Sequence, residues 1–238
     1  MRKIGFSTGA VAMGDFRYAL EVLAKLHVNA VELSALRFGE LDPLLNALDD
    51  LPLAQYSYIA FHVPAKFTAE SEPDLVRKLH PIKERGWPLI MHPDAMIDRR
   101  AWKSLSSALC FENMDKRKPL GRTAEELARI FAEFEDSSLC FDVGHASQID
   151  RTMAEACLII QQQKSRIRQV HVSEVNTKSE HVAISAASEL AFAKIVGDIS
   201  DDTPIIIESV VKEHQLPQEL TLVSEIFANA FQEVLETD

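Results

Sequence analysis

Ser138-Leu139-Cys140-Phe141-Asp142-Val143-Gly144-His145 is the stretch whose reading decides the fold. It is a short apolar run, with Asp136 and Ser137 before it and Gly144 after it, which is the pattern of a strand covered on both faces. Asp142 stands at the carboxyl end of that strand, the chain turns at Gly144, and His145 follows the carboxylate by three residues. An aspartate placed here either caps the next turn or is the first side chain free to meet solvent or a metal.

The same arrangement recurs in both directions. Further strands are predicted at Lys3–Ser7, Asn29–Leu33, Tyr58–His62, Pro88–His92, Ala108–Asn113, Ile167–Ser173 and Pro204–Glu208. Helical patterns separate them. One spans Asp15–His27 with Asp15 as N-cap, one Asp42–Asp50 with Pro43 in the first turn, and one Pro73–Arg85 closed by Gly86. Others run over Thr123–Phe134, opened by a Thr123/Glu126 capping box, Thr152–Gln163, Ser188–Gly197 and Pro217–Leu235. Between the fourth and fifth strands only a short connection, Asp98–Ser104, is available. Eight strands alternating with helices predict an α/β fold, a (β/α)8 TIM barrel, as one domain over residues 1–238. The glycine-rich turn of a dinucleotide-binding open sheet does not follow the first strand.

With 238 residues, 47% of them hydrophobic, the chain can bury a full core. Its net charge of -11 disfavours nonspecific binding to nucleic acid or to anionic lipid. Three cysteines without CxxC spacing indicate neither a disulfide framework nor a zinc knuckle, so reduced thiols and a cytoplasmic location are expected. No apolar run reaches the ~20 residues of a membrane helix, and the first residues lack the apolar core of a signal peptide.

The final residues of the eight strands read Ser7, Glu32, His62, His92, Glu112, Asp142, His171 and Glu208. In a barrel these ends converge on one face, where active sites are built. Carboxylates mixed with imidazoles suit Zn, Mn, Fe or Co rather than Ca. Grouping several anions without a cation is costly, which makes a divalent metal the expected cofactor. Two residues earlier along each strand stand Ala30, Ala60, Ile90, Cys110, Cys140, Gln169 and Ile206, read as core below a polar mouth. Gln169 is the polar exception and should hold a hydrogen-bond partner.

Taken in order, Glu112-Asn113, Asp142 to His145, His171 to Glu174 and Glu208 resemble the motifs of the xylose isomerase-like TIM barrels, a superfamily of sugar isomerases and epimerases that also includes the endonuclease IV class. In the epimerase branch the resemblance implies one metal (Mn, Zn, Mg, Co or Fe) held by Glu112, Asp142, His171 and Glu208. Glu112 and Glu208 would also exchange a proton on opposite faces of the substrate, with His145 on a substrate hydroxyl. In the endonuclease branch it implies a second metal on His62, His92 and Glu112. A third would lie on His145 and His181 with an aspartate two residues before His181, where this chain has Ser179.

The expected function is isomerisation or epimerisation of a small sugar, sugar phosphate or polyol derivative. The alternatives are a multi-metal phosphoester hydrolase and a metal-binding barrel without turnover. Lys116, Arg117 and Lys118 follow the fifth strand and could hold a substrate phosphate or carboxylate, although runs of charge also serve simply as solvated loops. Ser7, Glu32, His145 and His181 complete the expected substrate contacts. The segment Glu174–Ser185 is read as a rim loop that closes over substrate. The expected partner is a small molecule, with self-association into a homo-oligomer left open.

Overall fold

The computed structural model describes residues 2–229. Barrel strands β1 (Ile4–Ser7), β2 (Ala30–Ser34), β3 (Tyr58–His62), β4 (Leu89–Met91), β5 (Leu109–Glu112), β6 (Ser138–Asp142) and β7 (Ile167–Val172) lie side by side in chain order. A two-stranded antiparallel ribbon, β8 (Glu174–Val175) with β9 (His181–Val182), leaves the end of β7. The last barrel strand, β10 (Ile205–Ile207), pairs with β7 and β1 and closes the ring. All eight barrel pairings are parallel. The closed (β/α)8 barrel predicted from the alternation of elements is therefore the fold.

Two apolar layers hold it. The larger lies between strands and helices and includes Phe6, Phe61, Phe111, Phe141 and Trp102, all fully buried. A smaller one fills the barrel axis with Ala60, Ile90, Cys110 and Cys140, flanked by Tyr58. Small side chains are needed there because eight strands leave little interior space. Burial pushes the Cys110 thiol up to about 12 and that of Cys140 well above its usual value, so both stay neutral and serve as packing. Gln169, in the same interior, accepts from Tyr58 Oη at 2.8 Å and donates to Glu32 at 2.6 Å.

The helices depart from expectation in instructive places. Helices at Thr8–Ala12 and Val143–Ile149 begin directly at the ends of β1 and β6, the second where a turn at Gly144 was expected. The third helix covers Phe38–Ala47, so Pro43 lies inside it rather than in its first turn. The carbonyl facing the missing proline N–H is that of exposed Gly39, where water can replace the lost partner. The β4–β5 connection contains a 3₁₀ run, Ala101–Ala108. Glu174–Ser185 is not an open loop but holds the β8–β9 ribbon. The last helix starts at Leu216 and is described to Asn229; its expected continuation to Leu235 lies outside the described residues.

Glu72 opens the helix Glu72–Glu84, yet it is only 2% exposed. Its carboxylate accepts from Ile97 N, Asp98 N and Trp102 Nε1, each at 2.8 Å, and so ties the β4–β5 connection to a helix N-terminus that already favours negative charge. Removing it leaves buried donors without partners. Glu72→Ala should lower the free energy of unfolding by about 3 kcal/mol, read from urea denaturation; a change within experimental error would show that these bonds do not stabilise the connection.

Candidate metal centre

At the carboxyl ends of the strands lies a cavity of about 420 Å³ whose lining includes His62, His92, Glu112, His145, His181 and Glu208. Glu112, the last residue of β5, is at its centre and 1% exposed. Its Oε2 lies 3.1 Å from His92 Nε2 and 3.6 Å from His62 Nε2. Its Oε1 lies 3.2 Å from His145 Nδ1 and 3.5 Å from His171 Nδ1. Burial alone would raise its pKa, but the surrounding imidazoles, His92 foremost, hold it well below the usual carboxylate range.

Most of the rings around the cavity have one nitrogen engaged by a further protein group. His62 Nδ1 pairs with the Val63 carbonyl at 3.0 Å, and His145 Nδ1 with the Asn113 carbonyl at 2.9 Å. His171 Nε2 pairs with Glu32 Oε2 at 2.9 Å, and His181 Nδ1 with Ser173 Oγ at 2.7 Å. For a neutral ring the Val63 and Asn113 carbonyls place the proton of His62 and His145 on Nδ1 and the Glu32 carboxylate that of His171 on Nε2, which leaves each of these three its other nitrogen as a lone-pair donor. His92 is the exception, with its buried Nδ1 unpaired.

The Asp142–His145 stretch is built the same way. Asp142 Oδ1 accepts from His145 N at 2.6 Å and caps the helix Val143–Ile149, while Oδ2 is left without a hydrogen-bond partner. Asn113 stitches the end of β5 to β6 by donating to the Asp142 carbonyl at 2.8 Å and accepting from Asp142 N at 2.7 Å. A Cβ at Gly144 would stand 2.3 Å from the Ser173 carbonyl oxygen, so only glycine lets this helix start so close to the end of β7. The two readings of Asp142, cap and ligand, are thus both available, one for each oxygen.

Three sets of side chains offer ligand atoms lying within 4.8 Å of one another: His62, His92 and Glu112; Glu112, Asp142, His171 and Glu208; and Asp142, His145 and His181. Glu112 belongs to two sets and so does Asp142. Buried Glu112 Oε2, Asp142 Oδ2 and His171 Nδ1 have no hydrogen-bond partner. Orphaned donor atoms aimed at one another are the polar groups a cation satisfies, and the mixed nitrogen and oxygen set suits a divalent first-row metal. The clustered side chains are therefore positioned to chelate a divalent ion.

Without an ion, protons balance the charge. Burial opposes a charge on His62, but Glu112 and Glu32 override it and place its pKa at about 9. The same contest, won by Asp142 and Glu112, places His145 at about 10. Burial raises Glu208 to about 8 and Asp142 to about 6. Burial together with the charge of His145 drops His181 to about 3, which keeps it neutral.

The remaining predicted site residues are spread more widely. Ser7 lines the cavity with its hydroxyl 2.8 Å from that of Ser34. Arg117 lines it too, but its Nε is held by Asp115 at 2.9 Å, and Lys118 is held by Asp94 at 3.0 Å. Lys116 is exposed and outside the lining. Glu32 is also outside it: β2 runs two residues further to Ser34, which leaves Glu32 in mid-strand and fully buried. Ser179 bonds to Gln148 at 2.9 Å, and Asp142 supplies the carboxylate in the set with His145 and His181. Asp115 was not singled out from sequence; its signal was the Asp-x-Arg spacing after β5, which here forms a bidentate pair.

No protein-family model matches the chain, and no curated protein matches it. Solved structures do. Endonuclease IV from Thermus thermophilus is 17% identical, with 97% of this chain and 99% of that one covered and a TM-score of 0.58. A 3-keto-D-glucoside 4-epimerase from E. coli is 11% identical, with 94% and 100% covered and a TM-score of 0.60. A xylose isomerase domain protein from Alicyclobacillus acidocaldarius is 10% identical, with 96% and 99% covered and a TM-score of 0.63. The likeness is one of fold.

Loading Zn²⁺, Co²⁺ or Mn²⁺ into metal-free protein should raise Tm and release protons at pH 7, because His62, His145 and Glu208 carry protons there that a cation displaces. Apparent affinity should accordingly tighten as the pH is raised from about 6 to about 9. Calorimetry in buffers of different ionisation enthalpy measures both; binding without proton release would contradict this charge balance.

Proposed function

We propose that the protein is a multinuclear metal-dependent hydrolase of small phosphate esters, with sugar phosphates as the leading substrate class. The observation that carries this reading is the position of Glu112. Its two oxygens have different neighbours, Oε2 the rings of His62 and His92 and Oε1 Nδ1 of His171, and it belongs to two ligand sets. A carboxylate enclosed on both oxygens is suited to bridging two cations and poorly suited to carrying a proton to and from a substrate carbon.

His62, His92 and Glu112 would hold one ion, and Glu112, Asp142, His171 and Glu208 a second. Ions bound there would supply Lewis-acid polarisation of the phosphoryl group and a lowered pKa for an attacking water. The protein's own contribution is placement. Lys66, exposed on the rim and part of the cavity lining, can meet the substrate anion, whereas Arg117 and Lys118 are already engaged by carboxylates. The volume of about 420 Å³ suits a small molecule. The acidic chain argues against duplex DNA as the substrate.

The second reading is a sugar isomerase or epimerase using Glu112 and Glu208 as its proton-transferring pair. It is favoured by Glu208, a carboxyl that reaches the cavity while sharing a ligand set with Glu112. The two readings part at His92. His92→Ala should lower metal-dependent hydrolysis of p-nitrophenyl phosphate and sugar phosphates by about 100-fold, as expected for loss of one of two cooperating ions. In the epimerase reading the same variant keeps its four-residue set, and proton exchange from ketoses into heavy water proceeds nearly unchanged. Absence of phosphate release from every ester, with exchange detected, would replace the first reading by the second.

A further inference from the structure

Glu32 takes no part in any of the three ligand sets and does not line the cavity, yet it is a fully buried carboxylate. Its Oε2 receives His171 Nε2 at 2.9 Å and Gln169 Nε2 at 2.6 Å, and Gln169 Oε1 in turn receives the Tyr58 hydroxyl at 2.8 Å. Its Oε1 has no hydrogen-bond partner. Among the described residues its ion-pair partner is His171 alone. Nearby on the barrel axis lie Ala60, Ile90, Cys110 and Cys140, which offer no charge to balance it. Burying a carboxylate in such surroundings is expensive, and an apolar side chain of similar volume would pack there at less cost.

What Glu32 does is hold the back of a ligand. His171 turns Nδ1 toward Glu112 and Glu208, at 3.5 and 3.3 Å, because Nε2 is engaged on the other side of the ring. A carboxylate behind an imidazole fixes its tautomer and rotation and raises the donor strength of the opposite nitrogen. We infer that Glu32 is a positioning residue of the metal centre, acting on the cation through His171 and touching neither metal nor substrate. Tyr58 and Gln169 extend the contact down the axis and hold the carboxylate against the ring. The inference rests on the metal-centre reading and is independent of which reaction the centre performs.

Glu32→Gln keeps the size and an acceptor but removes the charge. Titrating Co²⁺ into metal-free protein, followed by calorimetry and by the visible absorption of the ion, should show the variant binding about 10- to 100-fold more weakly than wild type with a shifted spectrum. Its circular dichroism and metal-free Tm should stay at wild-type values or above. Cys110→Ala perturbs the packing of the same interior without reaching His171, and its Co²⁺ affinity should remain within about threefold of wild type, the small effect expected away from the donor set.

Wild-type affinity and spectrum in Glu32→Gln would overturn the inference. An equal loss in Cys110→Ala would also overturn it by assigning the effect to packing. If Glu32→Gln does not fold, nitrogen-15 spectra of metal-loaded wild type decide: His171 should carry its proton on Nε2, and a proton on Nδ1 refutes the arrangement. Wild type that binds no Co²⁺ would sink the metal-centre reading itself, whereas wild type that binds while Glu32→Gln binds equally well removes only the role of Glu32.

Discussion

An ionised carboxylate with almost no access to water governs this structure. Glu112 is 1% exposed and has four imidazoles within 3.6 Å, contributed by the ends of β3, β4 and β7 and by the helix that follows β6. A buried charge of this kind is tolerated only if opposite charge or a cation surrounds it. A parallel barrel can meet that demand because its strands deliver their last side chains to one layer. Antiparallel neighbours would carry half of those groups to the opposite face. The order of polar residues along the chain is in this sense the linear image of one ring around Glu112.

Keeping rings aimed at a shared centre requires something to hold them from behind. Strand ends are where ladder hydrogen bonding stops, so carbonyl groups there have unused capacity. The Val63 and Asn113 carbonyls hold His62 and His145, the Ser173 hydroxyl holds His181, and of these four rings only His171 is held by a charge, that of Glu32. His171 lies deepest: it is fully buried, with no free carbonyl engaged by its ring. A side chain from β2 reaches across the barrel axis to take that place. The support for the centre is therefore drawn from the backbone at the rim and from side chains in the interior.

Much of this was legible in the sequence, and the failures have physical reasons. Period and punctuation located all eight barrel strands, because buried parallel strands read as apolar runs closed by Pro, Gly or a polar residue. The residues ending β3, β5 and β6, and those adjoining the ends of β4, β7 and β10, announced the centre, and the structure brings His62, His92, Glu112, Asp142, His171 and Glu208 together. Glu32 was misjudged because a strand's length is set by pairing with its neighbour: Ser34 pairs with His62 and prolongs β2 past the glutamate. The helix at Val143–Ile149 was hidden because Gly144 reads as a turn, although its lack of a side chain serves close approach to Ser173. The β8–β9 ribbon is two residues a side, too short to leave a period. Lys116, Arg117 and Lys118 looked like one anion site, but a run of like charges carries no information about which carboxylates fold against it, and Asp94 and Asp115 take two of the three.

Ser179 stands where an aspartate was expected for a third ion site. Ser179 sits at a φ of 58° in the bend of the β8–β9 ribbon and spends its hydroxyl on Gln148, which also donates to the Asn176 carbonyl and so pins the ribbon to the helix Val143–Ile149. An acidic side chain in that position would add negative charge beside Asp115, whose partner Arg117 is already engaged. With a hydroxyl there instead, His145 and His181 have Asp142 as the carboxylate of their set, and Asp142 also belongs to the central one. Two carboxylates, Glu112 and Asp142, then link three ligand sets in a row. In a medium of low dielectric, charge at one end of such a row is felt strongly at the other. In the multinuclear reading proposed above, occupation of one set would change the proton inventory of the next, and the three sets would act as a single polynuclear unit rather than as independent sites.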